Sequence, residues 1–209
     1  MAKAGKNTHL EHLEDEIINN GADGGKKAVD ILDELGKYLS GLGGPGMSIT
    51  TKWDGAPAII CGTDPSDGKF FVGTKSVFAQ NPKICKTQSD VQRLYDGQLA
   101  NKLSDALRYL AKADIKGVLQ GDLMFTNDKK QENINGKSYI TFRPNTLTYA
   151  VEPNTPLGRQ ISRAQVGIVF HTKYTGPSIS QMQASFDVGE DDFKSTGVVW
   201  AQRATFTDV

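Results

Sequence analysis

The feature that most constrains the fold is a change in hydrophobic periodicity near residue 47. Before this point, the apolar residues of "KKAVDILDELGKYLSGL" recur at the three- and four-residue spacing of a helix. After it, residues 48–53, 57–62 and 69–74 alternate with the two-residue period of strands, and Asp-Gly and "DPSDG" turns join them. Strands that short turns connect pair antiparallel. The pattern therefore predicts an α+β protein with antiparallel sheets, preceded by helices.

The N-terminal region, residues 1–46, is predicted to hold two helices. In "THLEHLEDEIINNG", Thr8 is the expected N-cap, Glu11 completes a capping box and Gly21 ends the helix. The second helix continues until "GLGGPG" breaks it. We expect this region to be an extension of a main domain that covers residues 47–209.

The rest of the chain is predicted to be mostly strand, with one inserted helix at residues 89–112. That helix has an apolar stripe that should pack on the sheet. The stripe consists of Leu99, Leu103, Leu107 and Leu110. Strands are expected in "KGVLQGDLMF", "SYITF", "TLTYAV", "VGIVFHTKY" and "STGVVWAQ", with a mobile loop at "TNDKKQENINGK".

Composition excludes several classes of protein. The 24 basic and 24 acidic side chains give a formal net charge of zero, so no global field draws the chain to polyanions or membranes. No stretch approaches the ~20 apolar residues of a membrane span, and the N-terminus lacks the apolar core of a signal peptide. Two cysteines, Cys61 and Cys85, are too few for a disulfide framework. These observations favour a soluble, cytoplasmic protein.

The segment "TTKWDGAPAI" at residues 50–59 carries the strongest functional signal, and it allows two interpretations. Asp54-Gly55 has the composition of a type I′ hairpin turn, which would make Lys52 an ordinary charge at a strand end. Alternatively, Lys52 is a nucleophile, because a rigid strand end in a desolvated setting both aims a lysine amine and favours its unprotonated form.

The chain resembles the covalent nucleotidyltransferases, the superfamily of polynucleotide ligases and messenger-RNA capping enzymes, and within it the ligase-like proteins of tailed bacteriophages. The resemblance covers roughly residues 47–175, and "KWDG" matches the family's signature. It implies an ATP-grasp-like adenylation fold whose sheets flank a nucleotide cleft. It also implies that Lys52 forms a lysyl-AMP intermediate, and that Thr51, Asp54 and Gly55 shape the loop beneath the nucleotide.

Later residues match other family elements. The resemblance implies that Lys75 in "VGTKS" contacts phosphate or ribose, and that Asp122 in "VLQGDLMF" lies near the ribose and a metal ion. The family's base-stacking ring corresponds to Tyr149, with Phe142 as second candidate. Lys75 is alternatively a solvent-facing charge, Asp122 a strand irregularity, and either ring a core residue. Arg143 is expected either to meet phosphate or to cap the turn at Pro144.

The chain departs from the family pattern in its last third. Family members carry a Glu-Gly strand that supports the metal and a later strand with two lysines. In "QVGIVFHTKY", Val166 occupies the place of the glutamate and Lys173 is the one late lysine. The late motifs therefore lie beyond residue 209 of a longer chain, or the domain is a degenerate, non-catalytic module that binds nucleotide or protein.

The resemblance implies an ATP-dependent DNA or RNA ligase that uses Mg²⁺ and transfers AMP to a nucleic-acid 5′-phosphate. It also implies a role in nucleic-acid repair in the cytoplasm of a phage-infected host cell. The sequence does not distinguish a DNA acceptor from an RNA acceptor, and it leaves the oligomeric state open.

Overall fold

The computed structural model describes residues 12–42 and 51–205, which form two compact units. One unit holds residues 12–42, Thr51 and Thr205, and the other holds residues 52–204. The described residues contain four α-helices and nine strands, and all but one of the strand pairs are antiparallel. The predicted α+β class with antiparallel sheets is therefore confirmed.

The first unit contains helix α1, Leu13–Leu39, which is kinked at Gly21. Gly21 has φ 57° and ψ −131°, a conformation that favours glycine. The kink brings Lys27 Nζ to 2.6 Å from Glu16 Oε1, although residues eleven apart in a straight helix would be separated by about 16 Å. Two helical segments therefore meet at Gly21, the residue at which the first helix was predicted to end. The predicted caps, Thr8 and Glu11, lie outside the described residues.

The second unit is built on a six-stranded sheet. Its strands are β1 Ala58–Thr63, β2 Phe70–Gly73, β3 Val118–Phe125, β7 Val166–Thr175, β8 Gln183–Ser185 and β9 Val199–Arg203. The order is β2-β1-β3-β7-β8, and β9 pairs with the first half of β7 as the one parallel strand. A three-stranded sheet is separate from it and consists of β4 Lys130–Ile134, β5 Lys137–Phe142 and β6 Tyr149–Val151.

Two helices cover one face of the large sheet. They are α2, Gln88–Leu94, and α3, Gly97–Leu110, which replace the single helix predicted at residues 89–112. Gly97 adopts φ 56° at the break between them. The predicted leucine stripe is confirmed, because Leu103, Leu107 and Leu110 are buried in the same cluster as Ile59 of β1.

The other face of the large sheet carries two further apolar clusters. One contains Phe71, Val118 and Tyr174, and the other contains Phe125 and Phe142. Alternate residues of each strand therefore contribute to opposite faces, as the pleat of a sheet requires. Asp122 also lies on this second face, because its neighbour Leu123 packs on the helix-covered face.

Three details differ from the sequence-based expectations. Residues 51–53, at the end of the predicted strand 48–53, are not a strand. The expected loop at "TNDKKQENINGK" contains β4, which turns into β5 at Asn135 and Gly136, both with positive φ. A fourth helix, α4 Pro156–Arg163, was not predicted, although Thr155 caps its first turn by accepting a bond from the Gly158 N–H.

Candidate functional site

The "KWDG" segment is an ordered loop that leads into β1, not a hairpin turn. Neither Asp54 nor Gly55 has the positive φ that a type I′ turn requires, and strand β1 begins only at Ala58. The interpretation of Asp54-Gly55 as a two-residue hairpin is therefore wrong. The segment is instead held by contacts with two distant parts of the chain.

The carboxylate of Asp54 anchors the loop to the connection between β5 and β6. Its Oδ2 accepts hydrogen bonds from the backbone N–H groups of Thr146 and Leu147, both at 2.7 Å, and its Oδ1 accepts one from Asn145 Nδ2 at 2.8 Å. The N–H of Asp54 in turn donates to the Tyr149 hydroxyl at 3.0 Å. Bonds to the ionised form, from Leu147 first and then Asn145, hold the pKa of Asp54 below its usual value.

Gly55 packs directly on strand β3. A β-carbon at this position would overlap the β-carbon of Asp122 and would lie 3.0 Å from Met124 Sδ. Glycine is therefore required here for close approach, not for backbone conformation. Next to it, the N–H of Ala56 donates to the Leu123 carbonyl at 3.0 Å, so the loop and Asp122 are adjacent.

Lys52 is exposed, and the structure gives its amine no hydrogen bond or ion pair with a described residue. The desolvated setting that the nucleophile interpretation invokes is therefore not found around this amine. The physical reason is that residues 51–55 form an open loop, so no strand neighbours cover the lysine. Thr51 is also exposed, and its hydroxyl donates to the carbonyl of Thr205 at 3.0 Å.

The two candidate stacking rings belong to an aromatic cluster. Phe142 is buried, and Tyr149 is half-buried and stacks on both Phe142 and Trp53 with ring centroids 5.4 and 5.5 Å apart. Trp53 also contacts Trp200 edge-on. The cluster fixes the tryptophan of the "KWDG" loop, so the rings hold the Lys52 loop in place.

Asp122 lies beside a histidine that the sequence pattern does not indicate as a site residue. His171 Nε2 lies 3.7 Å from Asp122 Oδ1, and His171 Nδ1 forms a 2.8 Å hydrogen bond with Thr172 Oγ1. His171 is the extra residue of a β-bulge, since Gln120 pairs with Thr172 whereas Gly121 pairs with Phe170. The bulge turns the imidazole toward Asp122, and no sequence pattern marks such an irregularity.

The remaining predicted residues divide between two locations. Lys75 is exposed on a short 3-10 helix after β2, at the end of the sheet where β1 begins. Lys173 pairs with Leu119, three residues and about 10 Å along β3 from Asp122. Its amine forms a 2.7 Å ion pair with Asp192. Lys75 is therefore at the same end of the sheet as the Lys52 loop, and Lys173 is not.

The described residues offer little for a metal ion. Within residues 12–42 and 51–205, no group of three or more His, Cys, Asp or Glu side chains could hold one. Asp122 is a single carboxylate, which suffices for Mg²⁺ only where water and substrate phosphates supply the other ligands. In the same two ranges, no helix has the length and apolar character that crossing a membrane requires.

These features define an α+β protein in which a lysine-bearing loop is anchored to a large sheet and to the connection before β6. The chain belongs to a family of unknown function, DUF6267, whose pattern matches residues 7–209. Comparisons with curated proteins and with solved structures gave no match.

Proposed function

We propose that the chain is an ATP-dependent nucleotidyltransferase of the ligase type, with Lys52 as its nucleophile and a nucleotide cleft between the Lys52 loop and the face of the large sheet that carries Asp122. One observation carries the proposal. Three segments that the family resemblance selects, namely the "KWDG" loop, Asp122 and the region of Tyr149, converge in one place, although Asp122 lies 67 residues after Gly55 and Tyr149 lies 95 residues after Asp54.

The anchoring of the loop supports a role in positioning. Asp54 accepts three hydrogen bonds and Gly55 packs on Asp122, so the backbone beside Lys52 is fixed while the amine itself stays accessible. Phosphoryl and nucleotidyl transfers depend mainly on positioning and electrostatic stabilisation. ATP can reach this amine on its fixed loop, and the bound nucleotide would have to supply the desolvation that favours the unprotonated form.

The reaction would proceed by substitution at phosphorus. Lys52 Nζ forms a bond to the α-phosphorus of ATP, the bond to the bridging oxygen breaks, and pyrophosphate leaves as the amine loses a proton. The adenylyl group would then pass to a phosphate oxygen of an acceptor nucleic acid, as the bond between Lys52 Nζ and phosphorus breaks and the amine takes up a proton. Mg²⁺ would offset charge on the phosphates, with Asp122 as its candidate protein ligand.

A second function is supported by specific observations. Val166 is fully buried, and Lys173 is engaged by Asp192, so neither supplies the metal-supporting glutamate or the free lysine that the family uses. A domain without these groups would lack several kcal/mol of transition-state stabilisation. The alternative is a non-catalytic module that binds nucleotide without covalent transfer.

Incubation with α-labelled ATP and Mg²⁺ tests the two functions. We expect an acid-labile label on the wild-type chain that is lost in Lys52→Ala, because removing a covalent nucleophile abolishes the intermediate. The matched control is Lys69→Ala, since Lys69 is also exposed and its amine has no hydrogen bond or ion pair with a described residue. Lys69→Ala should label like the wild type.

The outcomes separate cleanly. A label that persists in Lys52→Ala would show that Lys52 is not the nucleophile. Absence of any label, together with ATP binding measured by calorimetry, would favour the non-catalytic module. Absence of both label and binding would exclude both functions.

A further inference from the structure

The side chains of His171 and Asp122 face each other beside the Lys52 loop. His171 Nε2 lies 3.7 Å from Asp122 Oδ1, and the two side chains are only 19% and 20% exposed. This separation is too long for a hydrogen bond, which places nitrogen and oxygen about 2.7–3.2 Å apart. The pair therefore leaves a gap that a small third group can fill.

The carboxylate of Asp122 has little support from the rest of the protein. Within residues 12–42 and 51–205, no N–H or O–H group donates a hydrogen bond to it, and His171 is the one basic side chain within ion-pair distance. A largely buried carboxylate is costly unless it is hydrogen bonded or paired with a cation. A positively charged ligand would supply what the described residues do not.

Thr172 holds the other side of the imidazole ring. Its hydroxyl forms a 2.8 Å hydrogen bond with His171 Nδ1, and Thr172 is itself buried. When Nδ1 carries the ring proton and donates it, Nε2 directs its lone pair toward the carboxylate. Histidines that bind metal ions use this arrangement, because the donated bond sets the tautomer and the ring orientation. Two acceptors then face one gap, and a cation between them would remove their mutual repulsion.

We infer that Asp122 and His171 together bind a divalent transition ion such as Co²⁺ or Zn²⁺. Bonds of about 2.1 Å from each atom sum to about 4.2 Å, so one ion reaches both atoms across the 3.7 Å gap. An imidazole nitrogen favours these ions over Mg²⁺, which takes oxygen ligands. The inference differs from the Mg²⁺ site of the proposed function, because His171 is a ligand and no nucleotide is needed for binding.

An exposed pair on α1 shows what the sheet contributes to such a site. His12 Nδ1 lies 3.5 Å from Glu14 Oε1, but these side chains are 71% and 69% exposed. Ordering them around an ion would cost the rotamer freedom of both. The bulge in β7 and the Thr172 bond already orient His171, and Asp122 is held in the paired strand β3, so less freedom is lost on binding.

Calorimetric titration of the full chain with Co²⁺, in the absence of nucleotide, tests the inference. We expect Co²⁺ binding that weakens at least about tenfold in Asp122→Asn and in His171→Ala, because even the loss of an outer-shell partner has an effect of this size. His12→Ala is the matched control and should keep the wild-type affinity. Mg²⁺ at an equal concentration should not displace Co²⁺. Circular dichroism establishes that each variant is folded.

A measurement on the unaltered protein locates the ion without relying on the folding of a variant at the site. Bound Co²⁺ is paramagnetic and should shift the ring signals of one histidine in the NMR spectrum. The chain has three histidines, so His9→Ala and His12→Ala identify the signals of two and leave those of His171. We expect the shifted signals to be those of His171.

Four results would each overturn the inference: no Co²⁺ binding, an unchanged affinity in either Asp122→Asn or His171→Ala, displacement by equal Mg²⁺, or shifts on another histidine in place of His171. The ATP label reports the proposed function separately, because Co²⁺ binding is measured without nucleotide. Co²⁺ binding at this pair without an ATP label refutes only covalent transfer. A Lys52-dependent label without Co²⁺ binding refutes only the ion site.

Discussion

At the scale of single residues, the position of the Lys52 loop depends on close packing at Gly55, where the neighbouring side chains leave no room for a β-carbon. Gly55 has an ordinary φ, so its role is to leave room for Asp122 and Met124. The Asp54-Gly55 pair predicts a turn, whereas in the structure Gly55 has a packing role. A single sequence could not reveal this difference, because Asp122 is 67 residues away and the contact is steric.

Gly55→Ala should therefore destabilise the protein by overpacking. We expect a loss of about 1–3 kcal/mol in the free energy of unfolding, measured by urea denaturation, because the new methyl group must displace Asp122 or the loop. Gly197→Ala is the matched control, since a β-carbon there would meet no atom within 4 Å and φ is not positive. Equal stabilities of the two variants would contradict the packing role.

Asp54 gives a second prediction at this scale. Asp54→Ala should increase amide hydrogen exchange at Thr146 and Leu147, because their N–H groups lose the carboxylate acceptor. Asp187→Ala is the control, since Asp187 is exposed and has no hydrogen bond or ion pair with a described residue. Unchanged exchange at both amides in Asp54→Ala would show that the carboxylate does not hold the loop.

Because the pKa of Asp54 is lowered, the hydrogen bonds by which its carboxylate anchors the loop should depend on pH. Because folding lowers this pKa, the anchor contributes fully above the ordinary Asp value and is lost as the pH falls through the lowered folded value. Exchange at Thr146 and Leu147, corrected for its intrinsic pH dependence, should therefore rise in acid. In Asp54→Ala, exchange at the same two amides, corrected in the same way, should not rise in acid.

At the scale of elements, the local sequence pattern predicted whether a segment is a helix or a strand better than it predicted where that segment begins and ends. The strands at 57–62 and 69–74 and the leucine stripe of α3 followed from periodicity. The break between α2 and α3 did not, because apolar spacing continues across Gly97. The bulge at His171 was also beyond prediction, since it depends on how β7 pairs with β3.

Helix α2 begins with a capping box that can be tested. Thr87 accepts a hydrogen bond from the Asp90 N–H, and the Asp90 carboxylate accepts bonds from the N–H groups of Lys86 and Thr87. Thr87→Ala should lower the free energy of unfolding by about 1 kcal/mol, as the loss of a helix cap does. Thermal and urea denaturation would measure it, and an unchanged stability would contradict the assigned cap.

Asp90 should make part of the free energy of unfolding depend on pH in the acid range. The hydrogen bond from Arg93, followed by the one from Thr87, lowers the pKa of Asp90 from 3.8 to about 2. A lowered folded pKa means that the stabilisation is complete above the unfolded value and is lost as the pH falls from 3.8 to about 2. Asp90→Asn should flatten the stability profile in that window, and an identical profile would refute the assignment.

At the scale of the whole molecule, the described members of all three apolar clusters lie between Trp53 and Ala204. The change of periodicity predicts a main domain at residues 47–209. It does not indicate which segments cover each face of the sheet, because that depends on pairing between strands more than 40 residues apart, such as β3 and β7.

This distribution predicts that a fragment of residues 51–205 folds without the first 50 residues. Its free energy of unfolding should stay within about 1 kcal/mol of the full chain, because no described cluster loses a member. A fragment of residues 58–205 is the matched comparison, since it lacks the Trp53 stacking contact and the Asp54 hydrogen bonds. Loss of one aromatic pair and of several hydrogen bonds should cost about 2 kcal/mol or more.

Urea denaturation followed by tryptophan fluorescence and circular dichroism would measure both fragments. A 51–205 fragment that fails to fold, or that is as unstable as the 58–205 fragment, would show that the N-terminal segment contributes to the core. If 51–205 is stable and 58–205 is not, the seven residues from Thr51 to Pro57 are part of the folded domain. Contacts within the folded domain would then hold the segment that carries Lys52 in place.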